Sequence, residues 1–283
     1  MSRRSNRRHF LKLTGLGASA SLAGGTSALG QSRHRATATP KFTLGLASYS
    51  LRKFDLDQTL AMAQRVGLKK IAFKSMHLPL DSSPEHIAQT VAKVKEAGID
   101  LYGAGVVYMK NEAAVNQAFD YAKAAGMTVI IGVPNHDLLP LVDKKVKAYD
   151  IKVAIHNHGP GDKVYPTPTS IIERVKDLDQ RIGLCIDIGH TMRLGIDPTI
   201  PIRKYANRIH DMHIKDVNAA TAKGHGVEMG RGIINIPAVM KMLMAINYSG
   251  VVSFEYEKDG DDPLPGLAES VGYANGVLAS LKG

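Results

Sequence analysis

Residues 182–190 read Ile-Gly-Leu-Cys-Ile-Asp-Ile-Gly-His, an apolar run that ends in a carboxylate and an imidazole. Similar patterns occur in Val-Ala-Ile-His-Asn-His at 153–158 and in Asp-Met-His-Ile-Lys-Asp at 211–216. A short apolar run predicts a buried strand, and each run here meets polar side chains at its carboxyl end. Together the three stretches predict parallel strands whose carboxyl ends form one polar rim.

The same strand pattern recurs along the chain and alternates with segments of helical spacing. The predicted strands cover 43–49, 69–74, 100–107, 128–133, 152–158, 182–187, 209–215 and 251–256. The predicted helices cover 55–66, 84–97, 112–125, 138–149, 170–178, 198–206, 237–246 and 267–281. Because strict alternation gives a parallel sheet, these eight units predict an α/β protein, a single-domain (β/α)8 TIM barrel over residues 42–283.

Glycines support the helix boundaries of this prediction. Gly67, Gly98, Gly126 and Gly250 each precede a predicted strand, where a helix C-cap is expected. The competing arrangement is a doubly wound open sheet. No G-x-G-x-x-G or Walker-type loop follows the first strand, which disfavours a nucleotide-binding fold of that kind.

The composition excludes several classes of protein. The chain has 283 residues, of which 44% are hydrophobic and 22% charged, as in ordinary globular proteins. A single Cys excludes an internal disulfide framework and a Cys-rich zinc site. No apolar run approaches the roughly 18–20 residues of a membrane helix, so we predict no stable membrane span.

The N-terminus resembles a twin-arginine export signal. Arg-Arg-His-Phe-Leu-Lys at 7–12 matches the core of that signal, and a stretch rich in small residues follows it. We predict a signal peptide at 1–30, a linker at 31–41, and a periplasmic or extracellular location. The signal contains five basic residues and no acidic residue, so its removal lowers the formal charge from +10 to +5. The remaining excess is modest, and we expect no nucleic-acid partner.

Polar side chains at the predicted strand ends indicate a metal site. Residues two apart on a strand share a face, so the inward faces of four neighbouring strands bring together His156, Asp187, His213 and Glu255. Two imidazoles and two carboxylates suit one divalent ion such as Mn, Co, Fe or Zn. The alternative is a buried network of His and carboxylates without a metal.

Five segments resemble the xylose-isomerase-like TIM-barrel superfamily and, within it, the sugar phosphate isomerase/epimerase branch. They lie at 153–160, 182–190, 211–216, 230–234 and 253–257, and the resemblance covers roughly 42–281. It implies one divalent ion held by Glu, Asp, His and Glu from strands 5 to 8. Asp187, His213 and Glu255 match the last three ligands. The resemblance also implies substrate contacts by Arg231 and His190.

One departure from the family pattern bears on the reaction. The strand-5 ligand, commonly Glu, is here His156, which breaks the glutamate pair that ketose epimerases use for proton transfer on both faces of the sugar. Exported relatives of this type resemble lyases that cleave 3-keto-glycosides by elimination. We therefore expect a metal-dependent lyase or isomerase acting on a keto-sugar through an enediolate. The alternatives are a ketose epimerase, a non-catalytic sugar-binding barrel and an apurinic endonuclease.

Further residues on the predicted rim are candidates for chemistry or binding. His158, Lys74 and His190 are the candidate catalytic base and acid, since an imidazole, or a lysine whose pKa is lowered by burial, can exchange protons near neutral pH. Substrate contacts are predicted for His77, Arg231, Lys215, Tyr49 and Glu257. The expected partner is a small carbohydrate.

Overall fold

The computed structural model describes residues 39–282. The predicted export signal at 1–30 and most of the predicted linker at 31–41 lie outside the described residues. Inside that range, eight parallel strands close into a barrel in which the first strand pairs with the last. The strands are β1 Thr43–Ala47, β2 Lys70–Phe73, β3 Asp100–Met109, β4 Val129–Pro134, β5 Lys152–His156, β6 Ile182–Asp187, β7 Ile209–Ile214 and β10 Val251–Phe254. The predicted single-domain TIM barrel is confirmed.

Helices alternate with these strands along the chain. They are α1 Leu56–Arg65, α2 Pro84–Glu96, α3 Glu112–Ala124, α4 Leu139–Tyr149, α5 Pro168–Val175, α6 Ile188–Met192, α7 Thr199–Lys204, α8 Ile236–Ala245 and α9 Leu264–Lys282. Their N-termini have local causes. Asp55 forms a capping box with Gln58 at α1, and Ser83 caps α2, which has Pro84 in its first turn. None of the described helices is both long and apolar enough to span a membrane.

Two short elements were not predicted: a hairpin between β7 and α8, and a helix directly after β6. The short strands β8 Asp216–Val217 and β9 Gly226–Val227 form an antiparallel hairpin. The five-residue helix α6 begins directly after Asp187, whose side chain accepts the His190 backbone N–H. These elements are too short for a hydrophobic period to indicate them. Both lie next to the candidate site.

The predicted C-cap glycines are confirmed in three cases out of four. Gly67, Gly98 and Gly126 have φ of 76°, 69° and 67°, the left-handed conformation that ends a helix without a steric cost to glycine. The prediction for Gly250 is wrong, because Asn247 has φ of 56° after α8 instead. Asn is the other residue that adopts this conformation readily.

Polar residues form a layer inside the barrel below the candidate site. The Tyr102 hydroxyl lies 2.7 Å from Ser253 Oγ, and the Cys185 thiol donates to Asp211 Oδ1 at 3.7 Å. All four side chains are buried. Burial, with a weaker opposing effect of His213, raises the pKa of Asp211 to about 7. Because alternate residues of a strand share a face, the next inward residues of β6 and β7 are Asp187 and His213, which lie one layer higher at the carboxyl ends of the strands.

Candidate active site

Four side chains from successive strands converge at the carboxyl end of the barrel. His156, Asp187, His213 and Glu255, here called the lumen cluster, each offer a ligand atom, and these atoms all lie within 4.8 Å of one another. The four residues are at most 5% exposed. The barrel register sets this arrangement: Asp187 pairs with His213 across β6 and β7, and the Glu255 N–H donates to the Ile214 carbonyl beside β10.

Several atoms of the lumen cluster have no hydrogen-bond partner among residues 39–282. They are both ring nitrogens of His156, both ring nitrogens of His213, and Asp187 Oδ2, although the last lies 3.0 Å from the Lys215 ammonium as an ion pair. His156 Nε2 lies 3.4 Å from Asp187 Oδ2, and His213 Nδ1 lies 3.3 Å from Glu255 Oε2, but neither pair is aligned for a hydrogen bond. A buried polar atom left without a partner costs about 1–3 kcal/mol. A divalent cation would bind one ring nitrogen of each imidazole together with the carboxylates, so the residues fit such an ion.

The protonation states of the lumen cluster also suit a metal. Burial lowers the pKa of His156 to about 3, against weaker opposing effects of Asp187 and Glu255, so its imidazole is neutral. Burial alone would raise the pKa of Asp187 and Glu255, but nearby cationic groups, Lys215 among them, lower both. Metal binding needs neutral imidazoles and ionised carboxylates, and His156, Asp187 and Glu255 meet this need. Burial alone would lower the pKa of His213, but Glu255 and other nearby carboxylates raise it, so an ion would have to displace a proton from that imidazole.

Lys215 balances the charge of the cluster. Its Nζ lies 3.0 Å from Asp187 Oδ2 and 2.7 Å from Glu255 Oε2, and it also contacts Glu257. Its stem passes over Gly189, where a Cβ would lie only 2.4 Å from Lys215 Cγ. A glycine is therefore needed there for the ammonium to reach the carboxylates. Lys215 was predicted as a substrate contact, and the structure places it against the Asp187 and Glu255 carboxylates.

A pocket of about 360 Å³ opens above the lumen cluster and is here called the reaction pocket. Five residues predicted for catalysis or binding line it together with His156 and Glu255. They are Tyr49, Lys74, His158, His190 and Glu257. The structure thus brings most of the predicted site residues to one place, and the roles assigned to them remain predictions.

His158 stands at the centre of a polar chain in the reaction pocket. Its Nε2 lies 3.0 Å from the Tyr108 hydroxyl, and its Nδ1 lies 3.8 Å from Asp162 Oδ2. Asp162 is fixed because its other oxygen accepts the backbone N–H groups of Val164 and Tyr165. Burial and the neighbouring His190 lower the pKa of His158. The imidazole hydrogen-bonds to the Tyr108 hydroxyl, and its Nδ1 has no hydrogen-bond partner among the described residues. A neutral imidazole near a carboxylate can accept a proton, and the carboxylate favours the resulting charge.

Lys74 lies at the other candidate position for proton transfer, directly after β2. Its Nζ donates to the Val106 carbonyl at 2.9 Å and lies 5.6 Å and 5.5 Å from the ring centres of Tyr49 and Tyr108. Burial lowers the pKa of Lys74, while the charge of Glu255 opposes that change. An ammonium with a lowered pKa is a better proton donor than an ordinary lysine.

Tyr108 lines the reaction pocket but was missed by the sequence analysis. It is 48% exposed and belongs to β3, which runs to Met109, two residues beyond the predicted end. The register between β3 and β4 shifts between Gly105 and Val107. This irregularity breaks the alternation from which the inward face was deduced. The rule that polar residues at strand ends form the site would have found Tyr108 if the strand end had been placed correctly.

His77 and Arg231 do not line the reaction pocket. His77 is 5% exposed, with Nδ1 2.9 Å from Ser48 Oγ and Nε2 2.9 Å from Thr59 Oγ1. Arg231 has a side chain that is 65% exposed and forms a bidentate ion pair with Glu269. The structure gives no support to a substrate contact by either residue. Ser48 Oγ also accepts the Lys74 backbone N–H at 2.9 Å, so His77 supports the position of Lys74.

His77 should make stability depend on pH. Burial lowers its pKa from the ordinary 6.5, against weaker opposing effects of two backbone carbonyls and Asp55. The unfolded chain then binds a proton at a higher pH than the folded chain. Stability is complete above the unfolded pKa and falls as the pH drops below it, by at most about 1.4 kcal/mol per pH unit.

Urea unfolding at about pH 7.5 and about pH 5.5 measures this effect. We expect the native protein to lose more stability between the two values than a His77→Gln variant does. His86 is exposed on α2, so a His86→Gln variant is the matched control and should keep the native pH dependence. Equal pH dependence of all three proteins would contradict the prediction.

A closed barrel with a polar pocket at the carboxyl ends of its strands has the architecture of a TIM-barrel enzyme. The chain belongs to the xylose isomerase-like TIM barrel family, which matches residues 51–275.

Named relatives include sugar-modifying enzymes. An inosose dehydratase of Clostridium tetani (strain Massachusetts / E88) is 29% identical over 149 residues, which are 46% of this chain and 47% of the relative. The chain spans about half the length of the curated relatives that it matches.

Solved structures share the fold at lower sequence identity. An L-ribulose 3-epimerase has a TM-score of 0.70 at 17% identity, over 85% of this chain and 95% of that chain. The IolI protein, described with a bound zinc atom, has a TM-score of 0.68 at 18% identity, over 85% of this chain and 98% of that chain. At this identity the likeness establishes the fold alone.

Proposed function

We propose that this protein is a metal-dependent enzyme that eliminates the aglycone from a 3-keto-glycoside. The observation that carries the proposal is the end of β5, where His156 faces Glu255 across the lumen cluster. A second glutamate at that position would give two carboxylates for proton transfer on both faces of a sugar. Here the imidazole of His158 and the ammonium of Lys74 line the pocket and are available for proton transfer instead. One base and one acid suffice for elimination.

One divalent ion is the proposed cofactor, held by the lumen cluster. Mn, Co, Fe and Zn all suit two imidazoles and two carboxylates. Such an ion would polarise the substrate carbonyl and stabilise the enediolate that forms when the neighbouring carbon loses its proton. The zinc described for the IolI protein, which has the same fold, is consistent with this assignment.

The residues of the reaction pocket then divide the proton transfers between them. His158 accepts the proton from C2, which is acidic because it adjoins the C3 carbonyl. The electron pair of the C2–H bond forms the C1–C2 double bond, and the C1–O bond breaks. Lys74 donates a proton to the departing oxygen. Asp162 orients His158 and offsets the charge that it gains.

The curated relatives supply an independent reason to favour elimination. Several are inosose dehydratases, and a dehydratase removes water by the same change of bonds as the proposed reaction. The alternative is a ketose epimerase or isomerase, for which the fold shared with an L-ribulose 3-epimerase is the reason. We expect a small carbohydrate substrate in both cases and no nucleic acid.

Turnover of a C2-deuterated 3-keto-glucoside by the metal-loaded protein, followed by NMR, tests the proposal. We expect released aglycone, an unsaturated 2-hydroxy-3-keto sugar, and loss of the deuterium to solvent. Removal of the ion by chelation should abolish the reaction, and its return should restore it. Release of aglycone with deuterium retained at C2 indicates hydrolysis and contradicts the proposal. Rapid epimerisation of free ketoses without aglycone release favours the alternative.

Export by the twin-arginine route is a separate proposal that rests on the sequence. Changing Arg7→Lys and Arg8→Lys together should leave the protein in the cytoplasm of its host, because the route reads the arginine pair. Cell fractionation with immunoblotting measures the result. The matched control changes Arg3→Lys and Arg4→Lys and should be exported normally. Normal export of the first double variant would show that another signal is used.

A further inference from the structure

A second pocket of about 310 Å³, here called the side pocket, adjoins the reaction pocket. The two pockets share His190 and Glu257 as lining residues. Pockets that hold small molecules typically measure about 300–1,000 Å³, so each of the two lies near the lower end of that range. The two pockets therefore adjoin each other at His190 and Glu257.

Arg193 lines the side pocket and is held in place by its neighbours. It directly follows α6, and its Nη2 donates to the Ala222 carbonyl at 2.8 Å, which ties it to the loop of the β8–β9 hairpin. Its Nη1 lies 3.4 Å from His190 Nδ1. Its Nε is buried and has no hydrogen-bond partner among residues 39–282. The guanidinium is thus held in place with donor capacity to spare.

The charge of Arg193 is uncompensated, unlike that of the other cations in the side pocket. Lys215 is balanced by Asp187, Glu255 and Glu257. Lys258 pairs with Glu228 at 2.7 Å. Across the described part of the chain, no carboxylate lies within 4.0 Å of the Arg193 guanidinium. A partly buried guanidinium without a carboxylate is a suitable partner for an anionic group of a ligand.

The remaining lining strengthens this preference. His225 and Lys258 add nitrogen donors, and the backbone of Gly224 and Gly226 leaves room beside them. Glu257 is the single carboxylate among the lining residues, and it already contacts the Lys215 ammonium. An acidic group of a ligand would therefore meet mainly N–H donors in the side pocket.

We infer that the side pocket binds an anionic group, a carboxylate or a phosphate, on the unit that leaves during the reaction. This inference rests on the proposed function and narrows its substrate class. The 3-keto sugar would lie in the reaction pocket beside His158 and Lys74, and the departing acidic unit would lie beside Arg193. His190, which lines both pockets, would mark the boundary between the two units.

Binding measurements test the inference without requiring turnover. Isothermal titration calorimetry of the metal-loaded protein would compare a neutral methyl glucoside with a glucoside of lactic acid and a glucoside of a phosphorylated alcohol. We expect the native protein to bind at least one acidic glucoside about tenfold or more tightly than the neutral one, as one charge-assisted hydrogen-bonded contact can provide. The acidic glucoside that binds more tightly identifies carboxylate or phosphate as the recognised group.

The variants locate the effect at Arg193. Arg193→Gln should remove the preference for the acidic glucosides. Arg203 is exposed on α7, outside both pockets, so Arg203→Gln is the matched control and should keep the preference. Equal binding of neutral and acidic glucosides by the native protein, or an unchanged preference in Arg193→Gln, overturns the inference. A clear Arg193-dependent preference in a protein without lyase activity would reject the proposed reaction and keep the anion site.

Discussion

Asp187→Ala and Glu255→Ala are each expected to abolish binding of the proposed divalent ion and to lower turnover about 10³-fold or more. Each change deletes one of two anionic ligands in the lumen cluster, and the ion supplies several kcal/mol of transition-state stabilisation. Metal analysis of the purified variants by mass spectrometry and the rate of aglycone release measure the two effects. The loss of metal does not depend on knowing the substrate.

Matched variants separate metal loss from misfolding. Lys215 keeps Glu257 and one ligand carboxylate in either variant, so we expect the barrel to fold. Asp187→Asn keeps the shape of the side chain and should also lose the ion if the alanine variant proves unstable. Asp137 is an exposed carboxylate after β4, and Asp137→Ala should keep native metal content. Unchanged metal content in both Asp187→Ala and Glu255→Ala would defeat the assignment of the ligands.

The lumen cluster could be predicted because it depends on strand periodicity. The alternation of inward and outward residues in β6 and β7 places Asp187 and His213 on one face, and parallel register then brings them side by side. The same rule places the polar layer of Cys185 and Asp211 one step lower. Local sequence therefore determined which side chains enter the barrel.

Side chains on loops could not be placed in this way. His77 follows β2 by four residues, and a turn points its ring toward Ser48 and Thr59, away from the reaction pocket. Arg231 finds a carboxylate partner, Glu269, on α9, far along the chain. These positions depend on tertiary contacts that no short period encodes. The side pocket was not predicted for the same reason. It lies beside a five-residue helix, α6, and a hairpin whose two strands have two residues each.

The same distinction between strand and loop applies to the proton transfers. His158 lies just past the end of β5, where its N–H donates to the Tyr165 carbonyl and turns the chain away from the barrel. This turn ends the predicted strand early and directs the imidazole toward Tyr108 and Asp162. Lys74 is placed by β2 and by its contact with the Val106 carbonyl. The two candidate proton carriers therefore come from different strand ends, although both contact Tyr108.

His158→Gln should lower turnover about 10²–10⁴-fold, the usual contribution of a general base, while leaving metal content near normal. The loss should be similar for every aglycone, because removal of the C2 proton is needed whatever group departs. Glutamine keeps a polar group next to Tyr108 but cannot accept the proton. Rates of aglycone release, with metal analysis of the same samples, measure both expectations.

Lys74→Met should show a different dependence on the leaving group. A nitrophenolate departs without a proton, so its release should slow only slightly, whereas an alkoxide needs a proton from the ammonium and its release should slow about 10²-fold or more. Lys123 is exposed on α3 and is not among the residues that line the reaction pocket, so Lys123→Met is the control. If Lys74→Met slowed both substrates equally and His158→Gln slowed only the alkoxide, the roles of base and acid would have to be exchanged. If neither variant lost activity, the proton carriers would lie elsewhere, although the ion could still be bound as proposed.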